Sequence, residues 1–178
     1  GSEIKTPCLD ALVGEGVELE RFYTSPISTP TRAGLMTGRY PNRFGVRSAV
    51  IPPWREDGLD ENEETMADML ARNGYKNRAI IGKWHLGHTK KVHYPMNRGF
   101  SHFYGHLNGA IDYFDLTREG ELDWHNDWEP CHDKGYSTEL ITKEAIRCID
   151  AYEKEGPFML YVAYNAPHTP LQAQEKDI

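Results

Sequence analysis

The stretch Ser28-Thr29-Pro30-Thr31-Arg32-Ala33-Gly34-Leu35-Met36-Thr37-Gly38-Arg39 decides how this chain is read. It has the form of a strand end, a tight turn and a short helix that runs from about Pro30 to Thr37 and is stopped by Gly38. Proline suits the first helical turn, where its missing N–H costs no hydrogen bond. Ser28 then stands at or beside the helix N-terminus, where free backbone N–H groups and the positive end of the dipole favour an anion. Arg32 lies four residues on and shares that face. A nucleophile, an anion-holding helix end and a fixed cation converge on one point. Such a point suits attack on a sulfate or phosphate ester.

Outward from this stretch the chain alternates helix and strand. Thr6 and Pro7 read as an N-cap and first helical residue, with Leu9, Leu12 and Val13 as an apolar stripe and Gly14 or Gly16 as the stop. Residues 17–24 read as a strand, and residues 41–60, rich in Pro, Gly and charge, as loop. A helix is expected over residues 64–73, with Met66, Met69 and Leu70 on one face and Gly74 as its cap. Residues 78–82 form a short apolar strand that ends at Lys83 and leads into Trp84 and His85. Residues 88–135 show little periodicity and read as long loops over a sheet edge. Residues 137–155 are the clearest helix, burying Leu140, Ile141, Ala145, Ile149 and Tyr152. Residues 158–164 are continuously apolar, as in a strand buried on both faces, and they deliver Asn165 to His168.

Function at the C-terminal ends of strands is how open parallel sheets build sites. The expected class is therefore α/β, a largely parallel sheet flanked by helices. Ser28, Arg32, Lys83, His85 and His168 are expected around one pocket at its C-terminal edge.

Composition narrows the partners. The 178 residues fit one domain, and 39% hydrophobic with 26% charged residues is ordinary for a globular protein. A net charge of -7 does not invite nucleic acid, so an anionic substrate must be held by a local cluster of cations. No run of about 18 apolar residues is present to span a membrane. Three cysteines, Cys8, Cys131 and Cys148, are too few for a disulfide framework. His125, Cys131 and His132 lack a zinc-ligand spacing.

Three ordered motifs carry a family resemblance. Ser28-x-Pro30-x-Arg32 followed by Leu35-x-Thr37-Gly38-Arg39 resembles the first signature of the sulfatase family. Gly74-Tyr75-Lys76 through Ile81-Gly82-Lys83-Trp84-His85-Leu86-Gly87 resembles its second, and Ala166-Pro167-His168-Thr169-Pro170 its third catalytic segment. The likeness runs from Thr6 to Gln172. Arg98-Gly99-Phe100, Phe103-Tyr104-Gly105, Asn108-Gly109, Asp112 and Tyr113 are similar to arylsulfatases acting on sulfated amino sugars.

The resemblance implies an alkaline-phosphatase/sulfatase-like fold, incomplete here. Residues 1–178 would be part of the catalytic N-terminal domain, without its first strand. It implies a sulfuric ester hydrolase acting on carbohydrates through a formylglycine made by oxidising Ser28. Arg32 would hold the formylglycine oxygens, Lys83 the sulfate, and His85 would help deprotonate the hydrate. His168 would face the ester oxygen. Asn108, Asp112 and Tyr113 are candidate sugar contacts.

The family also implies calcium, with residue 28 as formylglycine among its ligands. The paired aspartates that hold it in the family are absent from this chain, and Asp10, Asp112, Asp115 and Asp177 match no family position. Implied partners are a sulfated small molecule or sugar and a formylglycine-generating maturase. The family suggests a periplasmic, secreted or lysosomal setting. The chain by itself is expected to be inactive, to bind calcium weakly, and to leave a sheet edge unpaired. Two alternatives stand beside this: a phosphoester or phosphonate hydrolase of the same superfamily, and a catalytically silent sulfatase-like binding module.

Overall fold

Strand β1, Asn77–Lys83, is the spine of the molecule. In this computed structural model, which describes residues 4–47 and 49–178, β1 pairs in parallel with β2 (His102–His106) on one side and β7 (Phe158–Ala163) on the other. Two short antiparallel strands, β5 (His125–Asn126) and β6 (Glu129–Pro130), extend the β2 side, giving the order β6-β5-β2-β1-β7. A separate hairpin joins β3 (Thr117–Arg118) to β4 (Glu121–Leu122).

Successive residues of a strand face opposite sides, and β1 uses both. Ile80 packs with Ala33, Met36, Leu59, Ala67, Trp84 and Phe103. Those residues bring helices α2 (Ser28–Thr37) and α3 (Met66–Arg72) onto one face. Ala79 and Ile81 pack on the other face with Leu116, Trp124, Ile141, Ala145 and Cys148. This brings in α4 (Ser137–Tyr152), whose buried Ser137, Ile141, Ala145 and Cys148 recur at helical spacing. A capping box starts α3: Thr65 Oγ1 accepts from Asp68 N at 3.1 Å, and Asp68 Oδ2 from Thr65 N at 3.0 Å.

The strands approach closely at their C-terminal ends. Gly82 (φ 105°) and Gly105 (φ 148°) are in register. A Cβ on Gly105 would overlap the Gly82 carbonyl, and one on Gly82 the Ala163 carbonyl. Glycine is therefore required at both.

Several expectations are corrected. Helix α1 (Pro7–Glu15) forms, but none of its residues is buried, and Thr6 makes no capping bond to the backbone; its hydroxyl donates to Asp10 Oδ1. Residues 17–24 are not a strand. Val17, Leu19, Phe22 and Tyr23 are exposed. Alternating apolar residues become a strand only beside a partner, and no described strand pairs with them.

Segment 88–135 is mostly loop and turn, as expected, but it also supplies β2, which lies inside the sheet, and four two-residue strands. The β2 stretch His-Phe-Tyr-Gly-His lacks the aliphatic run that marks a central strand, so its pattern hid it. On α4, Cys148 is buried and Ile149 is 43% exposed. On α3, Met69 points outward and Ala67 inward. Helix α4 also stops at Tyr152 rather than at residue 155. β7 is half-buried except at Ala163, because it has one neighbour and lies at the sheet edge. Among the described residues no helix is long and apolar enough to cross a membrane.

Candidate active site

The C-terminal end of β1 and the start of α2 meet at Ser28. Ile27 occupies the N-cap position, so Ser28 is the first helical residue. Its Oγ lies 2.8 Å from His85 Nδ1 and accepts from Arg32 Nε at 3.1 Å. One helical turn separates Ser28 and Arg32, as the motif spacing requires. Arg32 Nη1 also donates to the Lys83 carbonyl at 2.8 Å and to Tyr161 Oη at 3.2 Å. The guanidinium is thereby fixed to β1 and β7.

His85 has a left-handed backbone (φ 60°), uncommon for a residue with a side chain. Thr29 holds it there. Thr29 Oγ1 donates to the His85 carbonyl and accepts from Ile51 N, both at 3.2 Å. His85 Nε2 lies 3.1 Å from the Ile51 carbonyl, which can only accept. The proton therefore sits on Nε2, and the Nδ1 lone pair faces the Ser28 hydroxyl. Gly109 covers the ring, where a Cβ would overlap the imidazole.

Burial and neighbouring cations set the charge states. Burial, then Lys83, push the His85 pKa down to about 3, so its imidazole is neutral at neutral pH. Burial, then Arg32, bring Lys83 down to about 7. Burial lowers Arg32 too, and it stays a cation. Lys83 is 3% exposed, and no acid is among the groups that perturb it.

His168 follows β7. Its N–H donates to the Asn165 carbonyl at 2.8 Å, and Tyr113 Oη donates to the His168 carbonyl at 2.6 Å. Its Nδ1 lies 2.8 Å from the Thr169 carbonyl, which can only accept, so Nδ1 carries a proton.

Two cavities share Ser28 and His168. One, of about 500 Å³, is lined by Arg32, Lys83, Tyr161 and Asn165 among others. The other, of about 560 Å³, is lined by Ile51, Trp54, His85 and Arg118 among others. Among the described residues neither lining contains Asp or Glu. In a chain of net charge -7, this is a concentrated cationic site made for an anion. Ser28, Arg32, Lys83, His85 and His168 all line one cavity or both.

Asn108, Asp112 and Tyr113 line neither cavity. Asp112 Oδ1 accepts from Phe114 N and Asp115 N, and its Oδ2 from Gln172 Nε2. Tyr113 is 1% exposed, and Asn108 N donates to Asp123 Oδ2. All three support the framework behind the cavities. Thr29, Ile51 and Tyr161 went unnoticed in the sequence. Thr29 fills a variable place in its motif, Ile51 acts through its backbone, and Tyr161 lies within an apolar strand.

A hard dication needs several oxygen ligands, anionic ones above all. The residues around Ser28 offer cations and no carboxylate, so they do not fit calcium. The one close His/Cys/acid group among the described residues is His102, Glu144 and Cys148. It lies at the far end of the parallel strands, where Glu144 is engaged by His102 and Arg147.

The family model described as Sulfatase matches residues 1–177. Arylsulfatase J of Mus musculus is 37% identical over 97% of this chain and 30% of its own length. N-acetylgalactosamine-6-sulfatase of Mus musculus is 33% identical over 97% of this chain and 37% of its own length. A protein solved in complex with its substrate D-glucosamine-2-N,6-O-disulfate superposes with a TM-score of 0.73 at 29% identity, covering 95% of this chain and 31% of that one. The chain thus spans about a third of the length of the relatives it matches, and its parallel sheet flanked by helices is part of the alkaline-phosphatase-like fold.

Proposed function

The chain belongs to the sulfatase family, and on that footing we propose that it is part of a catalytic domain hydrolysing sulfate monoesters on carbohydrates. The observation that carries this reading is the Ser28 Oγ, placed between the Nδ1 of a neutral His85 and the Arg32 guanidinium, beside a buried Lys83 with no acidic partner. The names N-acetylgalactosamine-6-sulfatase and glucosamine disulfate support a sulfated amino sugar as the substrate class.

Sulfatases in general use formylglycine and calcium. Position 28 is suited to the former: a maturation enzyme carrying its own two-electron acceptor would remove two hydrogens from the Ser28 hydroxymethyl group to leave the aldehyde. Once hydrated, that group supplies two hydroxyls, one to attack sulfur and one whose deprotonation expels sulfate. The chain's own residues do the rest. His85 Nδ1 takes a proton from a hydroxyl at position 28. Arg32 holds the oxygens there. Lys83 neutralises the equatorial sulfate oxygens, and His168 as an imidazolium gives its Nε2 proton to the leaving oxygen. Calcium finds no fitting set of ligands among the residues around Ser28. The 178 residues alone are accordingly expected to be inactive.

A second reading, direct attack on a phosphate ester by unmodified Ser28, is favoured by the 2.8 Å Ser28–His85 contact. Turnover of an aryl sulfate against the matching aryl phosphate, by the protein from its natural host and by Ser28→Ala, separates the two. Sulfate turnover lost in the variant supports the first; preference for the phosphate supports the second.

A further inference from the structure

The second cavity extends the site beyond what sulfate cleavage needs. Besides Ser28, His85 and His168, it is lined by the apolar Val50, Pro52, Pro53 and Trp54 and by Arg118. Trp54 is 80% exposed, an aromatic face available to a sugar ring. Arg118 lies on β3, in the hairpin with β4. Its Nε is enclosed and has no hydrogen-bond partner. Its ion pair, Nη2 to Glu119 Oε1 at 3.1 Å, involves a carboxylate whose side chain is 64% exposed, and such pairs hold weakly. Among the described residues no acid lines the cavity. The Arg118 guanidinium is therefore open to an acceptor from outside the chain, and a guanidinium suits a sulfate or carboxylate through paired hydrogen bonds.

We propose that this cavity is a sugar subsite in which Arg118 reads a second anionic substituent, so that the preferred substrate carries two anionic groups. The subsite rests on the sulfate-ester reading and assigns the far end of the same substrate: one anion lies between Arg32 and Lys83, the ring lies along Trp54, and the other anion meets Arg118.

The test is equilibrium titration of the 178-residue chain with glucosamine 6-O-sulfate and with glucosamine 2-N,6-O-disulfate, which differ by one anion. The disulfate is expected to bind about tenfold more tightly. Arg118→Gln should abolish that advantage while leaving the monosulfate within about twofold of the parent. Arg118→Lys, which keeps the charge without the fork, should retain part of it. Equal affinity for the two sugars in the parent, or an advantage that survives Arg118→Gln, would overturn the subsite alone. Failure of the parent to bind either sugar would overturn the sulfate-ester reading and the subsite with it.

Discussion

At Lys83 the chain buries an ammonium beside Arg32 with no carboxylate to answer it. Its folded pKa of about 7 lies below its ordinary 10.5. The unfolded chain therefore takes up this proton first as pH falls, so the group erodes stability between those two values and no further below about 7. A bound sulfate reverses the balance by stabilising the charged form. Sulfate affinity should then fall about tenfold between about pH 6 and about pH 8. Lys83→Met should bind weakly with a flat profile, and a flat profile in the parent would contradict the assignment.

In the active protein, Arg32→Ala or Lys83→Ala should lower turnover by on the order of 10² or more; near-normal turnover would remove that residue from the mechanism. The motif made these cations legible, because Ser28 and Arg32 one turn apart on a helix fix their own geometry. The tautomer of His85 was not legible. It depends on the Ile51 carbonyl and on the hydroxyl of Thr29, 22 residues from Ile51 in sequence.

The parallel strands owe their closeness to two glycines. Gly82→Ala would drive a methyl into the Ala163 carbonyl, whereas Gly74→Ala, also at positive φ, meets open space. Urea unfolding should show Gly74→Ala losing about 1 kcal/mol and Gly82→Ala clearly more, about 2–3 kcal/mol. Equal losses would mean that β1 and β7 are not held as described. Strand β1 could be read from Ala79-Ile80-Ile81, a continuous apolar run, and α4 from its helical stripe. β2 could not, since its aromatic and histidine side chains are buried through position in the sheet rather than through an apolar pattern. The strand expected at residues 17–24 fails for the opposite reason: the pattern is there and the pairing partner is not.

Taken whole, the molecule is closed at the end away from the site by a charged histidine. His102 Nδ1 meets Asp127 Oδ1 at 2.8 Å and its Nε2 meets Glu144 Oε1 at 2.6 Å, tying β2 to the β5–β6 turn and to α4. Burial opposes the charge, but the two carboxylates outweigh it and raise the His102 pKa. A raised histidine contributes stability below its ordinary pKa and loses it as pH rises through the folded value. His102→Gln should therefore cost about 1–3 kcal/mol near pH 6 and less near pH 9, by thermal or urea unfolding; a cost that grows with pH would contradict the ion pairs.

If sulfate ester cleavage turns on Ser28, mass spectrometry of the peptide containing position 28, taken from the protein made in its natural host, will show it. The residue expected there is lighter than serine by two hydrogens and reactive towards an aldehyde-specific hydrazide. Unmodified serine throughout an actively hydrolysing preparation would contradict it.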